Sequence, residues 1–145
     1  MLHLPGILSA DDLDRIRALL TAAVWVDGRA TAGNLSHHVK DNRQADERDS
    51  AAAEAASVVL HAVERHPLFV SAALPCRISP PLFNRYAGGQ AYGAHVDGAI
   101  RPLAAGGAMR TDLSATLFLN DPEDYEGGEL QVEAREGRQS VRLPA

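Results

Sequence analysis

The chain has 145 residues, 14 Lys plus Arg against 19 Asp plus Glu, and a formal net charge of −5. With 46% hydrophobic and 23% charged residues it carries enough apolar material for one domain with a core, which excludes a disordered chain. No run of Lys or Arg offers an electrostatic footprint for nucleic acid, and no apolar run approaches the roughly 18–20 residues that span a bilayer. The single cysteine, Cys76, has no internal partner, and the N-terminus lacks a cationic start followed by a long apolar stretch. A reducing, cytoplasmic setting is expected.

Two helices are predicted first. Ser9 followed three residues later by Asp12 reads as a capping box. Leu13, Ile16, Leu20 and Ala23 then recur at helical spacing, and Trp25 and Gly28 mark the end. Residues 27–49 are polar, rich in Gly, Asn and Asp and without clear period, which predicts a loop. A second helix is predicted from about Ser50 to Arg65, with Ala52, Ala55, Ala56, Val59, Leu60 and Val63 on its buried face and Pro67 as its stop.

From Leu74 onward the pattern changes to short β-type runs punctuated by Pro and Gly. Strands are predicted at 78–86, 111–120, 128–134 and 139–143, joined by Gly-Gly and Glu-Gly turns into an antiparallel sheet. In 111–120 the residues Leu113, Ala115, Leu117 and Leu119 share an apolar face expected to pack on the helices. The opposite face is polar but uncharged, which suits a wet cavity or plain solvent. Helices first, then a sheet that needs covering, define an α+β chain with a helical layer over 1–74 and a β part over 75–145.

His95-Val96-Asp97 is the leading chemical motif. In extended chain, positions i and i+2 point the same way, so an imidazole and a carboxylate can reach one cation. Such a pair arises by chance in roughly half of chains of this composition, so its context matters more than its presence. Gly88, Gly89, Gly93 and Gly98 bracket it and permit close approach of backbone and ligand. Tyr86, at the end of its own predicted strand, would share a side with Leu82 and Asn84 and could place a phenol against an anion. The remaining histidines, His3, His37, His38, His61 and His66, all precede the sheet and read as solvated or structural. The acidic cluster Glu123, Asp124 and Glu126 reads as a solvated turn, and Cys76 as packing.

Four blocks in order carry a further signal: PPLFNRY, FNRYAGGQAYGAHVDGAIR, RTDLSATLFLN and YEGGELQV. Together with FVSAALP, they resemble the PKHD-type hydroxylases, a group of iron(II)- and 2-oxoglutarate-dependent dioxygenases related to prolyl 4-hydroxylases. The resemblance implies a double-stranded β-helix, or jelly roll, behind a helical N-terminal layer. It implies Fe(II) held by two histidines and a carboxylate, with His95 and Asp97 as the first two ligands and Tyr86 on 2-oxoglutarate. It further implies O2 as co-substrate, hydroxylation of a C–H bond of an unidentified substrate with decarboxylation of 2-oxoglutarate to succinate, L-ascorbate as a reductant, and a link to iron uptake. The family pattern places a second histidine about sixty residues after the first pair, followed by an arginine for the far carboxylate of 2-oxoglutarate. Phe118 stands where relatives carry a second cofactor-binding tyrosine.

Neither that histidine nor that arginine occurs before Ala145, and the sequence supplies about five of the eight strands of a jelly roll. The chain is therefore expected to be C-terminally truncated, with the last strands missing. The alternative is a non-catalytic jelly-roll module that binds a partner. A homo-oligomer is compatible with either.

Overall fold

The computed structural model describes residues 1–32, 36–103, 106–135 and 137–145. The chain forms two compact units, Met1–Leu113 and Ser114–Ala145. Residues 33–35 of the expected loop and Glu136 of the expected Glu-Gly turn lie outside the described residues.

In the first unit, α1 spans Ala10–Ala22 and opens with the expected capping box: the Asp12 amide donates to Ser9 Oγ at 3.1 Å, and the Ser9 amide to Asp12 Oδ2 at 3.3 Å. The helix ends at Ala22, earlier than Trp25. Trp25 instead opens a strand, and its indole N–H donates to the Leu20 carbonyl at 3.1 Å, satisfying one of the helix's terminal acceptors. Strand β1 is Trp25–Asp27, β2 is Lys40–Asp41 and β3 is Arg43–Ala45.

Helix α2 spans Ser50–Arg65, as its periodicity predicts, with Asp49 capping the Ala52 amide at 3.0 Å. Ala52, Ala55, Ala56 and Val59 are buried, and α2 packs on α1, whose Ile16 is fully buried. Small alanines on this face let the two helices approach closely, and Arg15 and Glu54 close the rim at 2.7 Å. Pro67 does more than stop α2. With no N–H to satisfy, it starts α3, Pro67–Ala73, for which His66 is the N-cap. The stretch FVSAALP is thus mostly helical, and Leu74 ends it in the left-handed region at φ 43°.

Strands β4 (Asn84–Arg85), β5 (Ala91–Tyr92), β6 (Ile100–Pro102) and β7 (Ala108–Arg110) follow. Their pairing is antiparallel throughout. One sheet has the order β1-β3-β4, β2 pairs with β5 in the register Lys40↔Tyr92, and β6 pairs with β7. The second unit holds the hairpin of β8 (Leu130–Ala134) and β9 (Gly137–Val141), close to the two last predicted strands.

Three expectations need correction. The loop predicted over 27–49 contains β2, β3 and the end of β1. Its period was hidden because the residues that alternate inward are polar: Lys40, Asn42 and Gln44 are buried, while Asp41 and Arg43 are exposed. The strand predicted at 78–86 shrinks to Asn84–Arg85. Residues 111–120 form no strand, and Leu113 and Leu117 are 69% and 37% exposed. Alternation shows which side chains share a face, but a strand also requires a ladder partner. Among the described residues no strand ladder takes in this segment, although the Thr111 amide donates to the Ala99 carbonyl at 2.9 Å.

Candidate metal centre

The centre grows out of the polar row on β2 and β3. Burying Lys40, Asn42 and Gln44 side by side costs stability unless each finds partners. Lys40 Nζ donates to Thr31 Oγ1 at 3.0 Å and to Gln44 Oε1 at 3.1 Å, and Thr31 donates to the same Gln44 oxygen at 2.6 Å. Among the described residues no carboxylate forms an ion pair with this ammonium. Burial pushes its pKa below the usual lysine value, and Asp27 offsets only part of that. Asn42 Nδ2 donates to Asn84 Oδ1 at 3.0 Å across to β4. Among the described residues, Asn42 Oδ1 and Gln44 Nε2 have no hydrogen-bond partner.

Gly28 makes room for this row. Its amide donates to the Asn42 carbonyl at 3.0 Å, and a Cβ added there would lie 1.8 Å from Asn42 Oδ1. Only glycine fits.

Tyr86 follows β4 directly. Burial raises its phenol pKa above the ordinary value, and the nearby Asn42 side chain works the other way. The buried carboxamide thus lies near the phenol that the sequence singled out. Tyr86 keeps 43% of its surface exposed, so a ligand can reach it.

Strand β5 leads to the His-x-Asp motif. Across the β2–β5 ladder the Tyr92 ring lies with its centroid 5.1 Å from Lys40 Nζ. The Gly93 amide then donates to the Val39 carbonyl at 2.7 Å, and a Cβ on Gly93 would stand 3.0 Å from that of Val39. This tight crossing aims the Gly93 carbonyl at His95, whose Nδ1 lies 2.7 Å away. A proton on Nδ1 bonded to this carbonyl leaves the Nε2 lone pair free, the arrangement that metal-binding histidines use. The His95 ring stacks on Tyr92 with centroids 3.6 Å apart and planes at 12°.

His95 Nε2 and Asp97 Oδ1 face each other at 3.4 Å. The segment is not part of a ladder, yet it is extended enough to put both side chains on one side and leave Val96 92% exposed on the other. Two donors each about 2.0–2.2 Å from a metal, at close to a right angle, stand roughly 3 Å apart, so this pair fits a small divalent ion. The donor types, one imidazole and one carboxylate, suit Fe(II). Among the described residues no group of three or more His, Cys, Asp or Glu gathers around a point.

The other polar candidates are engaged elsewhere. His66 Nδ1 accepts from the Phe69 amide at 3.3 Å, His61 lies 3.0 Å from Arg65, and Arg110 pairs with Asp112 at 2.7 Å. His37 and His38 line an open cavity with Arg29, Lys40 and Asp41. Glu123 and Asp124 sit in a single helical turn of the second unit, and Cys76 is exposed and free.

The structure therefore brings His95 and Asp97 together, and places Tyr86 near Asn42. What sequence reading missed is the supporting set Lys40, Asn42, Gln44 and Tyr92. Its signal was present as Lys-x-Asn-x-Gln, a strand alternation with polar residues on the inner face.

Comparison with known proteins bears on this geometry. Residues 81–144 match the 2OG-Fe(II) oxygenase superfamily, which takes in Tyr86, His95 and Asp97. The whole chain is 55% identical over 145 residues to a PKHD-type hydroxylase of Klebsiella pneumoniae (strain 342), covering 64% of that protein. It is 52% identical over 147 residues to one from Paraburkholderia phytofirmans, covering 65%, and 53% identical to PKHD-type hydroxylase YbiX of Escherichia coli O6:K15:H31, covering 64%. The chain thus spans slightly less than two thirds of the length of these relatives, and the resemblance runs through all of its own residues.

Proposed function

We infer that this chain belongs with the PKHD-type hydroxylases and is part of an Fe(II)- and 2-oxoglutarate-dependent hydroxylase whose metal is held by His95 and Asp97. The observation that carries the reading is the 3.4 Å approach of His95 Nε2 to Asp97 Oδ1, with Nδ1 tied to the Gly93 carbonyl. It stands in a chain 55% identical to a protein named as such a hydroxylase. The proposed fold of the whole protein is a jelly roll behind the helical layer of residues 1–74, with residues 75–145 as its first part.

When bound, Fe(II) with 2-oxoglutarate and O2 supplies hydroxylation of a C–H bond, giving alcohol, succinate and CO2. The chain's own residues do the positioning. His95 offers a neutral nitrogen whose direction is fixed by the Gly93 carbonyl on one side and the Tyr92 ring on its face. Asp97 offers a charged oxygen that lowers the net charge of the centre. The Tyr86 phenol, half-exposed beside β4, can donate its proton to a carboxylate of 2-oxoglutarate. L-ascorbate would serve as the reductant that keeps the iron ferrous. The hydroxylated substrate is a molecule with an accessible C–H bond, and a place in iron uptake and in the cytoplasm is part of the same reading.

The reading is of the whole protein, and the described residues supply two of its donors. The test is Fe(II)-dependent conversion of 2-oxoglutarate to succinate by the protein expressed from its natural reading frame, with Tyr86→Phe beside it. Loss of the phenol should raise the KM for 2-oxoglutarate with little change in metal affinity. No succinate from the unaltered protein would favour instead a non-catalytic binding module.

A further inference from the structure

We propose that Lys40 is a positioning residue for the metal ligand His95, acting through the Tyr92 ring; this rests on the reading of His95 as a ligand. Three observations meet here. Lys40 is 7% exposed, and its ammonium is held by two neutral oxygens, Thr31 Oγ1 at 3.0 Å and Gln44 Oε1 at 3.1 Å. It stands 5.1 Å from the Tyr92 centroid, and the same ring lies 3.6 Å from His95 and nearly parallel to it. The backbone repeats the connection, because Lys40 pairs with Tyr92 in the β2–β5 ladder and the Gly93 carbonyl fixes His95 Nδ1.

A buried ammonium without a carboxylate partner is costly for the fold alone. Placed against an aromatic ring it does something specific. Attraction between the cation and the ring quadrupole holds Tyr92 in one orientation, and a desolvated cation does this better than an exposed one. The flat stack then leaves the imidazole one plane in which to turn, and the Gly93 carbonyl removes the freedom that is left. A ligand held in this way loses less entropy on binding a metal. Thr31 and Gln44 belong to the device, since they keep Nζ at the ring.

Co(II) is the probe, read by its visible absorption and by titration of the protein from its natural reading frame, with no turnover required. Lys40→Met and Tyr92→Leu should each weaken Co(II) binding by about tenfold and alter the absorption spectrum. The double variant should be no weaker than Tyr92→Leu alone, because both changes break one relay. Tyr92→Phe, which keeps the ring, should bind as the unaltered protein does. If Lys40→Met does not fold, Thr31→Val, which removes one of the two oxygens holding Nζ, should weaken binding in the same direction. Additive losses in the double variant, or unchanged affinity in Lys40→Met or Thr31→Val, would overturn the proposal. His95→Ala separates it from the site assignment. Co(II) uptake lost in His95→Ala but unaffected by Lys40→Met would leave His95 a ligand and remove Lys40 from its support. Uptake unchanged in His95→Ala, or absent from the unaltered protein, would remove both.

Discussion

Tyr92 and His95 stack face to face, with ring centroids 3.6 Å apart and an interplanar angle of 12°. Three residues apart with no helix between them, they meet because the chain leaves β5 at Tyr92 and is turned by the close crossing of Gly93 on Val39. Gly93 is thus the pivot of the centre. Gly93→Val should loosen the crossing and weaken Co(II) binding, while a circular dichroism spectrum reports α1 and α2 unchanged.

Gly28 makes a second backbone prediction. The side chain added by Gly28→Ala would collide with the buried Asn42 carboxamide, and overpacking of this kind costs about 1–3 kcal/mol. Urea unfolding should show that loss. Because Asn42 also holds Asn84 on β4, which leads directly to Tyr86, the KM for 2-oxoglutarate should rise as well.

Lys40 should behave as a residue kept at a cost to the fold. Burial lowers its pKa below 10.5, so in the alkaline window under 10.5 the unfolded chain binds more protons than the folded one. Stability therefore rises with pH as that window is crossed, and the penalty is present in full at neutral pH. Lys40→Met should be at least as stable as the unaltered chain at pH 7. Unfolding measured between pH 8 and about 10.5 should show the rise in the unaltered protein and its loss in the variant.

Asp27 supplies the acid counterpart. Its carboxylate takes Arg29 in a two-pronged contact, which holds its pKa down at about 2, below the ordinary 3.8. A depressed carboxylate pKa adds stability that is present above about pH 4 and is lost as the pH falls towards 2. Asp27→Asn should flatten that part of the acid unfolding curve.

The helical half of the fold was legible because its signals are local. The capping pair Ser9 and Asp12, the alanine face of α2 and the stop at Pro67 depend on neighbours within a few positions. The strands were harder. Residues 111–120 alternate well and still form none, while Lys40, Asn42 and Gln44 lie in the β2–β3 region with a polar inner face that no hydrophobic pattern reveals. His95 and Asp97 were found because their spacing alone puts them together in extended chain. Lys40 and Tyr92 meet only through a ladder between segments 52 positions apart, which no local signal encodes.

Iron binding by His95 is tested most directly by comparing succinate formation from 2-oxoglutarate by the unaltered protein and by His95→Ala. Both are expressed from the natural reading frame and supplied with Fe(II), O2 and ascorbate, and bound iron is measured in the same samples. Turnover and bound iron are expected in the first, with a loss of both, at least a hundredfold in rate, in the second. Equal turnover in His95→Ala would mean that His95 does not hold the iron.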